Sequence, residues 1–505
     1  MGSYDLSTAN RGPQALAEAR LTSAGPRASL PRHQPQPAAQ WASPDNTGDR
    51  PRHRPPPLGA RRSARPARLP CVPGRLLALE LERAELANGL RVVVAPDHST
   101  PVVALAVVYD VGFRSEPEGR TGFAHLFEHL MFQGSAHVAK MEHGRLVQGA
   151  GGVFNGHTRP DLTSYFEALP TAALELALFL EADRMASLEL DQENLENQIA
   201  VVQEEIRVNV LNRPYGGFPW IDLPALAFDT FANAHNGYGS FEDLEGATLD
   251  DAASFYRAYY APANAVVVVA GDCSPGPALE LVERAFGAIE PRPAPARPSF
   301  AEPPLDAPRH RRRHDPLAPT PAVAYGLRAP DPLAATDQLL AASVVAALLA
   351  DGESSRLRQR LVHEEQVVTE LACYAGTFGD ALSTRDPALF QILLFHPGRR
   401  PETALRRAVL EEIERLAEQG PDPDELARIR SSATAARWRE MDQILERALA
   451  LADATVIHDR PELVAEIPGR LDAVSADDVR AAAGALAAQH IAVLEVLPGT
   501  EEPGS

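Results

Sequence analysis

The sequence predicts an α+β protein of two homologous domains, each a mostly antiparallel sheet covered by helices. Three observations lead there. Strand-type and helix-type patterns alternate through residues 80–500, in like order on both sides of a proline-rich stretch at 291–321. Each half closes on the same phrase: Leu249–Asp272 is a helix pattern running into the apolar Ala265–Ala270, and Ser475–Gly499 is one running into Ile491–Val496. At 505 residues the chain also exceeds one ordinary core, since about 150 residues per domain is typical.

The elements follow in order. Ala84–Ala87 runs into Asn88-Gly89, a hairpin turn signal, and Leu90–Ala95 reads as the next strand. Val102–Tyr109 is a second apolar strand. The loop Gly112–Gly122 leads to a helix over Phe123–Phe132, and a second helix over Met141–Gln148 is broken by the glycines of Gly149–Gly152. Val153–Thr158 and Thr163–Leu169 read as strands. Helical periodicity covers Thr171–Ser187, Gln192–Val210 and Leu249–Tyr259, and Ala263–Ala270 is a buried strand. In the second half, Ala322–Leu327, Val367–Ala375 and Ala388–Phe395 are strands. Thr336–Leu349, Ser355–His363 and the chain from Glu402 onward are helical. The resulting boundaries are an extension at 1–76, a first domain at 77–290, a linker at 291–321 and a second domain at 322–505.

Composition narrows the function classes. Residues 1–76 hold 12 Arg, no Lys and 4 acids, a charge of +8, so the remainder carries −28 of the net −20. An acidic body lacks the clustered cations that phosphate backbones need, which argues against nucleic-acid binding. The extension is Arg-rich, but Pro55–Pro57 and Pro66–Pro73 preclude the amphipathic helix of a transit peptide; we expect it to be disordered. Cys71, Cys273 and Cys373 form no C-x-x-C pair and read as isolated reduced thiols. Apolar runs such as Leu339–Ala350 fall short of the ~18 residues that span a bilayer, and there is no secretory apolar segment, so a cytoplasmic protein is expected. The basic cluster Arg309–His314 is expected to be solvated linker rather than an anionic docking site.

The chemistry centres on His125-Leu126-Phe127-Glu128-His129. On a helix, residues four apart share a face, so both imidazoles can reach one metal ion, with Glu128 beside it. A chance string on a polar surface helix is the alternative. The flanks exclude it: Phe123, Ala124, Leu126, Phe127, Leu130, Met131 and Phe132 are apolar, and burying idle His and Glu side chains is unfavourable. A catalytic zinc takes three protein ligands and leaves one position open, so a third ligand must come from elsewhere. Val201–Arg207 offers two acids in a half-buried helix, Glu204 and Glu205, the latter 76 residues after His129.

With these residues the chain resembles the pitrilysin/insulinase-type inverzincin peptidases, which include the mitochondrial processing peptidases. The resemblance covers roughly residues 80–500. It implies a zinc metalloendopeptidase with one zinc per chain, ligands His125, His129 and Glu205, and Glu128 as general base. Glu204 then stands beside the third ligand. Phe154-Asn155-Gly156-His157-Thr158, followed by Asp161-x-Thr163-x-Tyr165, fits the segment that family members use as an exposed sheet edge for substrate. This marks Phe154, Asn155, Gly156 and Thr158 as substrate-binding, with Asn155 equally readable as a strand-end turn residue.

Two departures from the family pattern matter. Gln198, seven residues before Glu205, stands where several members carry glutamate; it is a candidate to orient Glu205. In the second half, Gly352-x-x-Ser355-Arg356-Leu357 matches a family stretch, but the Arg and Tyr that follow in complete enzymes correspond to Val362 and Thr369. No second H-x-x-E-H exists. The expected activity is therefore that of a peptidase subunit, cleaving peptides or leader segments beside a zinc-less homologous partner, with a homodimer less favoured. A non-catalytic scaffold subunit of the same fold is the competing class.

Overall fold

A computed structural model of the chain describes residues 79–376 and 380–500. The expected extension over 1–76, with Cys71, lies outside them. Two sheets organise the described residues. The first holds β1 (Glu82–Glu85), β2 (Arg91–Pro96), β3 (Val102–Tyr109), β4 (Val153–Thr158), β5 (Thr163–Pro170) and β6 (Ala265–Gly271), in the order β1-β2-β6-β3-β5-β4. The second holds β7 (Arg309–Asp315), β8 (Ala322–Arg328), β9 (Glu370–Ala375), β10 (Leu389–Phe395) and β11 (Ala492–Pro498), in the order β7-β11-β8-β10-β9. In each sheet one pairing is parallel, β2 with β6 and β7 with β11, and the others are antiparallel. From β2 onward the second half repeats the topology of the first.

Strand β3 shows why its sequence is apolar throughout. Val103, Leu105, Val107 and Tyr109 face one core, under the helix Phe123–Leu130, while Ala104, Ala106 and Val108 face another. Both faces of a strand buried in this way must be apolar. The helix on the second face, Ile444–His458, comes from the other half of the chain; its Ala448, Leu451, Ala452 and Val456 pack on Ala104, Ala106, Val266 and Val268. The exchange is mutual. Helix Asp222–Ala227 of the first half lays Leu223, Leu226 and Ala227 on Ala322, Ala324 and Leu494 of the second sheet. Small residues permit the approach: a Cβ on Gly326 would come within 3.3 Å of Leu223.

This interlock has a measurable energy. Leu451 is completely buried in the shared core, so Leu451→Ala should cost ~2–5 kcal/mol. Urea unfolding checks it; a loss below about 1 kcal/mol would show that the core relaxes around the gap.

The basic cluster Arg309–His314 corrects the expected linker. It forms β7, paired in register from Arg309 opposite Ala492 to Asp315 opposite Pro498, and only 291–308 and 316–321 of the expected linker carry no helix or strand. Its charges are met on both faces. Glu495 takes His310 and Arg312 at 2.9 and 2.8 Å, while Arg313 and Arg309 pair with Asp222 and Asp229. A charged strand fits a sheet edge, where it also discourages pairing with other chains.

Smaller differences occur at helix ends. Gln192–Ile206 gives way to a π-turn over Arg207–Leu211, and the expected helix at 355–363 is mostly a π-turn, Arg358–Glu364. Helix Pro275–Phe286 and three short ones within 222–245 carried no sequence expectation.

Candidate metal centre

The helix that carries the H-x-x-E-H string begins at Phe123, directly after Gly122, whose φ of 88° is left-handed and whose missing Cβ would stand 2.7 Å from the Tyr238 carbonyl oxygen. Only glycine fits there. The amide groups of Gly122 and Ala124 donate to the buried Glu116 carboxylate at 2.9 and 2.7 Å, satisfying donors that a helix start leaves open. Glu116 is in turn paired with His235 Nε2 at 3.2 Å. Leu126, Phe127 and Leu130 turn into the core, which rotates His125, Glu128 and His129 to the other face.

The structure brings His125, His129 and Glu205 to one point. Glu205 Oε2 lies 3.6 Å from His125 Nε2 and 3.3 Å from His129 Nε2, and the donor atoms of all three lie within 4.8 Å of one another. Glu205 sits in the last turn of Gln192–Ile206, a helix whose start is capped by Asp191. The π-turn that follows brings Asn209 Nδ2 to 3.4 Å from Glu205 Oε1; π-turns recur where a side chain must be re-aimed. Burial and the neighbouring His129 pull the His125 imidazole down to about 4. For His129 burial pulls the same way but is outweighed by the bond to Glu205 and the charges of Glu128 and Glu205 together, and its pKa rises. Burial raises the Glu128 carboxyl, tempered by His129 and by a hydrogen bond from Thr158.

These residues fit zinc. Ligand distances of about 2.0–2.2 Å in a tetrahedral site place donors ~3.3–3.6 Å apart, the spacing of Glu205 from each imidazole, and three donors leave the fourth position open. A second convergent group, His143, Glu167 and Glu181, does not fit as well. Both Glu181 oxygens are taken by the buried Arg184 guanidinium, and His143 Nε2 is engaged with Glu167 Oε1 at 2.6 Å. A cation there would compete with an arginine already in place.

Glu128 Oε2 accepts from Thr158 Oγ1 at 2.8 Å. Gly156, two residues earlier on the same face of β4, leaves room for the Glu128 side chain, since a Cβ would stand 3.2 Å from its Cγ. Phe154, on that face too, packs against Phe132 and His143. Among the described residues β4 is the last strand of its sheet, with no strand paired on its outer edge. Asn155 lies on the opposite face, where its Oδ1 accepts from the Gly156 amide at 2.9 Å. Two expectations are corrected. Glu204 is exposed and pairs with Arg207 at 3.2 Å, away from the donors. Gln198 is buried near His129, whose pKa it helps to raise, and it is Asn209 that bonds Glu205. Glu116, Asn209 and Tyr238, whose ring stacks edge-on to His125 at 5.2 Å, were missed by the sequence reading. The i+4 spacing of Asn209 from Glu205 was the one available signal.

Comparison with known proteins agrees with this architecture. The insulinase (peptidase family M16) model matches residues 91–214, a span that includes His125, Glu128, His129 and Glu205, and the peptidase M16 inactive domain model matches residues 246–433. The chain belongs to the insulinase-type M16 peptidase family. The zinc protease PqqE of Helicobacter pylori is 29% identical over 389 residues, 75% of this chain and 84% of that protein. The crystal structure of a protease from Helicobacter pylori superposes with a TM-score of 0.76 at 26% identity, covering 83% of this chain and 100% of that one. A probable mitochondrial-processing peptidase subunit beta of Arabidopsis thaliana is 23% identical over 211 residues, 42% of this chain and 39% of that protein.

Proposed function

We propose that the chain is a zinc-dependent endopeptidase subunit that hydrolyses peptides or unfolded segments, leader peptides among them, beside a zinc-less homologous partner. One observation carries the reading: a carboxylate oxygen 3.3 and 3.6 Å from two imidazole nitrogens, with Glu128 next to them and, among the described residues, an unpaired strand edge alongside. Zinc, when bound by His125, His129 and Glu205, supplies Lewis-acid activation of water and of the scissile carbonyl. Glu128 takes the proton of the attacking water and passes it to the leaving amine. Thr158 keeps the Glu128 carboxylate aimed. The free edge of β4 receives the substrate as an added strand, so recognition rests on backbone hydrogen bonds and tolerates varied side chains.

Metal content tests the reading. The purified chain should hold one zinc, and His125→Ala and Glu205→Gln should lose it or hold it far more weakly. Full occupancy in Glu205→Gln would move the third ligand elsewhere. A zinc-free wild-type chain would favour the scaffold class.

A further inference from the structure

The segment between the short helices Phe231–Ala234 and Phe241–Glu245 is fastened to the start of helix Phe123–Leu130 at several points. Asn236 Oδ1 accepts from the amides of Tyr238 and Gly239 at 3.0 and 3.1 Å, which fixes the turn. The Ser240 amide donates to Thr121 Oγ1 at 3.0 Å, and the Thr121 amide donates to Asp243 at 3.0 Å. Gly239 is left-handed, with φ 79°, and a Cβ there would stand 2.5 Å from the Thr121 carbonyl oxygen, so the two backbones touch. With His235 on Glu116, these contacts leave the segment little freedom relative to His125. What they hold in place is Tyr238, whose ring lies edge-on to the His125 ring at 5.2 Å.

The Tyr238 hydroxyl stands among the groups of the metal centre. Burial pushes it up to about 12, aided by the charges of Glu205 and Glu128 and countered by Asn209 and Arg213. Between two carboxylates a tyrosine hydroxyl serves as a donor. Other donors nearby are already engaged: Asn209 Nδ2 on Glu205 at 3.4 Å, and Thr158 Oγ1 on Glu128 at 2.8 Å. The second half adds none at Val362, which packs in its core, or at Thr369, which donates to the Phe395 carbonyl.

We propose that Tyr238 is a further catalytic residue: its hydroxyl donates a hydrogen bond to the oxygen of the scissile carbonyl and holds it more tightly as negative charge develops there. The inference rests on the peptidase reading, and it adds a donor from the half that carries the metal ligands to those expected of a partner. The hydroxyl keeps its proton throughout, so no bond of the protein forms or breaks. A donor fixed in advance by the fold needs no reorganisation during the reaction, which is the source of its effect.

Calorimetric titration of the zinc-loaded full chain with a phosphinic hexa-alanine tests this, because its tetrahedral phosphinate mimics the developing oxyanion. In Tyr238→Phe the ring and its packing on His125 stay, and only the hydroxyl goes. This variant should hold as much zinc as wild type, yet bind the phosphinic peptide at least tenfold more weakly. On an unfolded polypeptide its kcat should fall ~10²-fold. KM, which equals the dissociation constant when chemistry is slow, should stay as in wild type. Tyr259→Phe, which removes a hydroxyl that donates to the Ser115 carbonyl at 3.4 Å, should leave phosphinate affinity and kcat unchanged. Equal phosphinate affinity in wild type and Tyr238→Phe overturns the inference. So does a raised KM at unchanged kcat, an equal loss in Tyr259→Phe, or lost zinc, since each reduces Tyr238 to packing. A wild-type chain that cleaves peptides and takes up the phosphinic peptide, with no change in Tyr238→Phe, sinks this inference and leaves the peptidase reading standing. A wild-type chain that holds zinc but neither cleaves nor takes up the phosphinic peptide sinks the peptidase reading, and the inference falls with it.

Discussion

Glu128→Gln should lower kcat by ~10²–10⁴ and leave zinc content, melting temperature and KM close to wild type. The amide is nearly the same size and can still accept the hydrogen bond that Thr158 donates at 2.8 Å, so the site should stay assembled. What it cannot do is take a proton from water. The raised carboxyl of the native residue, a consequence of burial, suits a group that must both accept and return a proton. Steady-state cleavage of an unfolded polypeptide, with metal analysis on the same sample, measures both halves of the prediction. Turnover within a few-fold of wild type in a zinc-loaded variant would move the base to another residue.

The second large effect concerns the partner. The isolated chain is expected to bind zinc and cleave peptides feebly, and a zinc-less homologue carrying the Arg and Tyr should raise the rate ~10²–10³-fold, or about 3–4 kcal/mol of transition-state stabilisation. The second half cannot supply those groups at the corresponding positions. Val362 is apolar and packs against the second core, and the Thr369 hydroxyl already donates to the Phe395 carbonyl at 3.0 Å. Arg356, in the stretch that resembles the family's, is also engaged, in a two-point pair with Glu425 at 2.9 and 3.0 Å. Mixing purified subunits and following native mass alongside cleavage decides the matter. A fully active homodimer of this chain alone would end the two-subunit proposal.

Much of this was legible in the sequence, and the exceptions have physical causes. The i, i+3, i+4 placement of His125, Glu128 and His129 needs only helix geometry. The third ligand lies 76 residues on, beyond any local periodicity, and the resemblance to known peptidases ranked Glu205 over Glu204. Helix geometry could have done so too. At ~100° per residue, Glu205 stands about 60° from the buried Val202 and Glu204 about 160° from it. The Glu128–Thr158 and Glu116–Gly122 bonds join separate elements and leave no periodic trace. Strand β7 went unrecognised because its stabilisation comes from Glu495, Asp222 and Asp229, acids remote in sequence, not from apolar alternation. The helix exchange was hidden for a similar reason: an apolar helix face declares that it is buried, not against which sheet.

That exchange sets a schedule for synthesis. When the last strand of the first sheet, ending at Gly271, leaves the ribosome, its outer face of Ala104, Ala106, Val108, Val266 and Val268 has nothing to cover it until His458 emerges. Roughly 190 residues separate the two, ten to forty seconds at ~5–20 residues per second. Throughout that interval the nascent chain presents a bare apolar sheet. The sheet that carries Gly156 and Thr158 on β4 is packed on both faces only after His458 has emerged, so a product truncated before that point would hold the candidate site on a half-covered sheet.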